Sequence, residues 1–130
     1  PPYSLLMQSK ALLAEVWHRE GPHEYLLEAD RTPLSGQQHV EKPYFGREGQ
    51  TVVVYAPNGE QMERSDEGDN AVYPRVYQAF VDLPHDDQMR LYQTGLFVVH
   101  GEPVAVGFRR GGVILGAESQ FCGHVILEDS

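Results

Sequence analysis

Cysteine is almost missing from this chain: Cys122 is the single one in 130 residues. That excludes an intramolecular disulfide and a thiolate zinc cage, and it makes a reducing, cytoplasmic setting the expectation. Lysine is nearly as scarce, with Lys10 and Lys42 set against eight arginines. Positive charge is short altogether, since ten Lys and Arg face nineteen Asp and Glu for a formal charge of -9. Such a balance repels a phosphate backbone and removes the counterion-release term, so no nucleic-acid partner is expected. No apolar run reaches the roughly 18 to 20 residues that a bilayer crossing needs, so no membrane is expected either. The opening Pro1-Pro2-Tyr3-Ser4 lacks the basic segment and apolar core of a signal peptide, and its want of a methionine suggests excision from something longer.

What is present suffices for a core. Hydrophobic residues make up 41%, with seven Tyr, five Phe and one Trp, and a chain of this size buries roughly two-thirds of its unfolded surface. Thirteen Gly and nine Pro predict many turns within one domain over 1–130. From Ser4 to Arg19, Leu5, Leu6, Ala11, Leu12, Leu13, Val16 and Trp17 recur at helical spacing, and Gly21-Pro22 stops the run. After a loop over Arg31 to Gln38, short β-branched and aromatic runs take over. Strands are expected over Val40 to Tyr44, Thr51 to Tyr55, Gln61 to Arg64, Val76 to Val81, Leu91 to His100, Pro103 to Arg110 and Val113 to Leu115. Pro57-Asn58-Gly59 reverses the second into the third, and Asp66 to Asn70 is a polar break. One helix beside a mostly antiparallel sheet predicts an α+β fold.

Lys42 ends a predicted strand four residues before the turn Gly46-Arg47-Glu48-Gly49. A glycine-bracketed turn can aim backbone N–H groups at an anion, and a neighbouring ammonium adds a point charge. Taken alone, these residues fit an ordinary hairpin turn beside a surface lysine more readily, and Lys10 reads as a solvent-facing helix residue. A Walker P-loop is absent. The six histidines show no i, i+4 pair for a metal, and Asp66, Glu67 and Asp69 fit a solvated turn better than a calcium loop. Cys122 reads as a buried structural thiol. Arg109 and Arg110, adjacent on a strand, should point to opposite faces.

In order, Ser9-Lys10-Ala11-Leu12-Leu13, the segment from Glu41 to Gly49 (Glu-Lys-Pro-Tyr-Phe-Gly-Arg-Glu-Gly), the segment from Tyr77 to Pro84 and Gly107-Phe108-Arg109 resemble the C-terminal part of the glutathionylspermidine synthase family. The resemblance runs from about Pro2 to Ile126, and it departs from many relatives at Gly123, where they place proline. It implies the C-terminal lobe of an ATP-grasp ligase, in which ATP activates a carboxylate as an acyl phosphate that an amine displaces. Glutathione or another acid and a polyamine or another amine are the implied substrates. By the same resemblance, Lys10 and Lys42 contact ATP phosphates, Gly46, Glu48 and Gly49 cover them as a mobile loop, and Arg47 closes with that loop as the catalytic residue. Gln78, Ala79, Phe80 and Val81 form the hinge that reads adenine, Gln93 and Arg109 occupy nucleotide-site positions, and Val113, Ile114 and Leu115 wall the pocket. Magnesium ligands are expected upstream of the matched region, so the fragment is expected to be inactive alone and to self-associate through its exposed lobe face. The alternative is a non-catalytic module whose acidic surface takes a cationic partner such as a polyamine.

Overall fold

The computed structural model describes residues 2–65 and 70–127. The acidic cluster Asp66, Glu67 and Asp69 lies outside the described residues. The fold is α+β, with one main helix and antiparallel sheets. It divides into two compact units, Pro1–Val81 and Asp82–Ser130.

In the first unit, the expected single helix is two pieces: a 3-10 helix over Pro2–Gln8 and α1 over Ala11–Glu20. Leu5, Leu6 and Met7 on the first piece are exposed, so their spacing reflects no buried face. Helix α1 ends where predicted, on Gly21 with φ 75°, whose N–H bonds back to the Trp17 carbonyl. The left-handed conformation suits glycine, and the closing bond satisfies a terminal carbonyl.

Five strands follow: β1 (Ala29–Asp30), β2 (His39–Pro43), β3 (Val53–Tyr55), β4 (Gln61–Arg64) and β5 (Arg75–Ala79). They form one antiparallel sheet in the order β1-β5-β2-β3-β4. The hairpin between β3 and β4 turns at Pro57-Asn58-Gly59 as expected, with the Ala56 N–H donating to the Glu60 carbonyl at 2.8 Å and Gly59 at φ 84°. β5 inserts between β1 and β2, pairing Lys42 with Val76 and Val40 with Gln78. Ala14 of α1, Ala29 of β1 and Val76 of β5 are wholly buried together, with Tyr44 packed against them. Small residues here let the helix lie close to the sheet.

In the second unit, β6 (Leu91–Val99), β7 (Glu102–Gly111) and β8 (Gln120–Cys122) make a three-stranded antiparallel sheet. His100 and Gly101, both at positive φ, turn β6 into β7. The run Val113 to Leu115 is a bend and not the expected strand. Glycines at 111, 112 and 116 bracket it, and such residues favour reversal over continued pairing. Cys122 is half-buried, not the buried thiol expected.

Candidate functional site

Two lysines 32 positions apart in the chain are held by β2 and the turn that follows it. Lys10 precedes α1 and is anchored twice to the end of β2: its backbone N–H donates to the Tyr44 carbonyl at 2.8 Å, and its Nζ donates to the Gly46 carbonyl at 2.7 Å. Lys42 is carried by β2 on the face shared with Val76, and its Nζ donates to Gln78 Oε1 at 2.6 Å. Neither is the solvent-facing lysine that the local sequence suggested. Burial lowers the Lys10 pKa below the usual lysine range. Burial lowers that of Lys42 as well, and the neighbouring Lys10 charge pushes it down further. Among the described residues, no carboxylate pairs with either ammonium.

The turn after β2 is shaped by unusual backbone. Gly46 sits at φ 154°, Glu48 at 52°, Gly49 at 71° and Thr51 at 55°. Glycine is favoured at 46 for a second reason, since a Cβ there would lie a tight 3.2 Å from Pro43 Cγ and 3.3 Å from Asn70 Nδ2. Two left-handed non-glycine residues, one of them β-branched, hold backbone strain of the kind that gathers at ligand clamps. The Gln50 N–H closes on the Arg47 carbonyl at 3.0 Å. The turn borders an open cleft of 650 Å³ lined by Gln8, Phe45, Gly46, Arg47, Glu48, Gln50 and Asn70. Gly46 thus joins the cleft to the Lys10 ammonium. Asn70, which donates to Gln50 Oε1 at 2.8 Å, was not singled out from the sequence; its place in a polar break carries no signal.

At the end of β5, the Ala79 N–H donates to the Glu28 carbonyl at 2.8 Å and the Phe80 N–H to the Gln38 carbonyl at 3.0 Å. These two donors, expected to read adenine, are therefore engaged within the fold, and Val81, which is exposed, follows them.

The reverse face of the same sheet holds a second polar group that the sequence did not mark. Glu41 Oε1 meets Arg75 Nε at 3.2 Å, the Tyr55 hydroxyl donates to Glu41 Oε2 at 3.1 Å, and buried His39 stacks on Tyr55 and meets Tyr77 edge-on. Burial first, then the Glu41 carboxylate, raises the pKa of both Tyr55 and Tyr77.

The remaining expected positions belong to the second unit. Exposed Gln93 stands directly across from Arg109. Arg109 Nη2 donates to the Gly116 carbonyl at 3.1 Å, and its guanidinium lies 5.7 Å from the Phe121 ring centre. That contact ties Arg109 to the segment just beyond Val113, Ile114 and Leu115. Arg110 parts from its neighbour as expected, with Nε donating to Asp86 Oδ2 at 2.7 Å. Among the described residues, no three His, Cys, Asp or Glu side chains gather as a metal site, and no helix is long and apolar enough to cross a membrane.

Known proteins resemble this chain over nearly all of it. A Haemophilus influenzae protein named "Putative acid--amine ligase" is 33% identical over 138 aligned positions, covering 98% of this chain and 34% of that protein. The chain therefore spans about a third of that relative's length. The family described as "Glutathionylspermidine synthase preATP-grasp" matches residues 1–127. On that match the chain belongs to the glutathionylspermidine synthase family, as a domain related to acid–amine ligases.

Proposed function

We propose that this chain is the nucleotide-binding portion of an ATP-dependent carboxylate–amine ligase, inactive as this piece alone. The observation that supports the reading best is that Lys10, bonded to the Gly46 turn, is near enough for its charge to be felt at Lys42, each ammonium held by a neutral oxygen. Two neighbouring cations without an acidic partner among the described residues are costly to bury, and a polyphosphate is the kind of ligand that relieves the cost. The chemistry that ATP supplies is activation of a carboxylate as an acyl phosphate, which an amine then displaces. In that setting Lys10 and Lys42 bind phosphate oxygens. Gly46, Glu48 and Gly49 present backbone over them, and Arg47 on the cleft rim brings its charge to the transferring group, where catalysis depends on placed positive charge. Ala79 and Phe80 use their N–H groups inside the fold, so an adenine edge meets the Val81 backbone and the carbonyls beside it.

No residue described here is assigned to magnesium. The metal, the acid and the amine belong to the longer protein, with glutathione and a polyamine as the pair that the family name suggests. A cytoplasmic setting goes with this reading. The second reading, a non-catalytic module for a cationic partner, draws on the net charge of -9.

Amide chemical shifts of the chain titrated with ATP, and separately with spermidine, test the choice. ATP is expected to move resonances at Lys10, Lys42 to Gly49 and Gln78 to Val81, and Lys42→Ala is expected to erase those shifts while the rest of the spectrum stays in place. Undiminished ATP shifts in that variant would overturn the phosphate role. Diffuse shifts at acidic turns with spermidine, and none with ATP, would favour the second reading.

A further inference from the structure

The strands β2 and β5 carry one diagonal cross-strand pair on each face of the sheet. On the reverse face the pair is Glu41 with Arg75, a carboxylate against a guanidinium at 3.2 Å. On the other it is Lys42 with Gln78, an ammonium against an amide oxygen at 2.6 Å. Diagonal neighbours lie within reach of long side chains; the two pairs run along opposite diagonals, Glu41 reaching the residue opposite Pro43 and Lys42 the residue opposite Val40, and their electrostatics differ. A carboxylate cancels the charge of its partner. An amide oxygen accepts one of the three N–H groups of an ammonium, fixes its direction, and leaves its charge and two donors unused. Lys10 follows the same rule, because its acceptor, the Gly46 carbonyl, is also neutral.

We propose that the Gln78 side chain is a positioning residue that aims the Lys42 ammonium without neutralising it, and so sets this face of the sheet to select polyphosphate anions over singly phosphorylated ones. The inference rests on the nucleotide reading above and adds a determinant to it: the neutral acceptor, and not the lysine alone, makes the site cationic. Lys10, bonded to the Gly46 turn, is near enough for its charge to be felt at Lys42, so two charges without a carboxylate partner among the described residues act together on one anion. A longer phosphate chain reaches both.

The experiment uses the 130-residue chain and its Gln78→Glu and Gln78→Met variants. Each is titrated calorimetrically with inorganic tripolyphosphate and orthophosphate, while the Lys42 Cε carbon shift is followed against pH. For the unchanged chain, tripolyphosphate is expected to bind more tightly than orthophosphate. Gln78→Glu is expected to weaken tripolyphosphate binding about tenfold, the size of one charge-assisted contact, and to move the Lys42 titration to higher pH. Gln78→Met keeps the size and removes the acceptor; a smaller loss with no upward move of the titration is expected. A structural role alone would not raise the lysine titration in the Glu variant while leaving it unraised in the Met variant. Gln78→Glu binding as tightly as the unchanged chain, with Lys42 titrating as before, sinks the inference and leaves the nucleotide reading standing. An unchanged chain that binds neither ATP nor tripolyphosphate sinks both.

Discussion

The Gly46 carbonyl accepts the Lys10 ammonium at 2.7 Å, and by that single bond the residue before α1 reaches the turn after β2. Gly46 is held at φ 154°, where a Cβ would sit tightly against Pro43 and Asn70. Gly46→Ala is therefore expected to cost about 1 to 3 kcal/mol, the usual range for a strained left-handed position that also crowds its neighbours. Urea unfolding checks the loss. Lys10 should show the same displacement in its side-chain resonances, and an Ala variant of unchanged stability would contradict the crowding.

Both lysines have folded pKa values below their unfolded ones. Between the two values the unfolded chain holds more protons than the folded one, so stability rises with pH across that interval. A bound polyanion has the opposite leaning, because it favours the charged ammonium. Tripolyphosphate affinity is expected to be greatest below the folded pKa values and to fall as pH rises through them, beginning short of the ordinary lysine value of about 10.4. Calorimetry at stepped alkaline pH reads this directly. A flat profile up to the ordinary lysine range would show that neither ammonium contributes.

Glu41 holds Arg75 and the Tyr55 hydroxyl on the reverse face. Glu41→Gln is expected to bring the tyrosinate titrations of Tyr55 and Tyr77 down towards the ordinary value of about 10. It should also lower stability by about 2 kcal/mol through loss of a charged hydrogen bond that is mostly shielded from water. Tyrosinate absorbance against pH and urea melts measure the two effects, and titrations that stay put would contradict the assigned cause.

Leu96, Phe97, Val98 and Val99 on β6 are each more than half exposed, at 62%, 60%, 55% and 52%. Successive strand residues face opposite ways, so this ribbon is apolar on both sides, which favours association. Sedimentation is expected to show mass rising with concentration, and Leu96→Ser with Val98→Ser to suppress the rise. Monomeric sedimentation of the unchanged chain over a wide range would exclude the ribbon as an adhesive surface.

Local pattern carried part of this fold. The glycine stop of α1, the Pro57-Asn58-Gly59 hairpin and the long strands β6 and β7 follow from near neighbours in sequence. The insertion of β5 between β1 and β2 does not, and that pairing is what brings Gln78 to Lys42 across 36 positions. The turn at Gly46 was marked by its glycines, but the half-buried state of Lys10 was hidden because helical spacing continues through a segment that breaks at Ser9. Glu41 could not be picked from nineteen acidic residues, since its worth lies in the arginine and tyrosine that other strands deliver. Val113 to Leu115 misled in the other direction, as β-branched content outweighed the flanking glycines.

Glu41 and Lys42 are consecutive, so the polarity of this sheet is a matter of parity. Sliding β2 by one place against β5 would exchange them: a carboxylate would arrive at Lys10 and an ammonium at Arg75, turning a receptive surface into a closed ion pair and its back into a repulsive one. Pro43 is wholly buried at the end of β2 opposite Arg75, and the slide would carry it to the other face and out of that place.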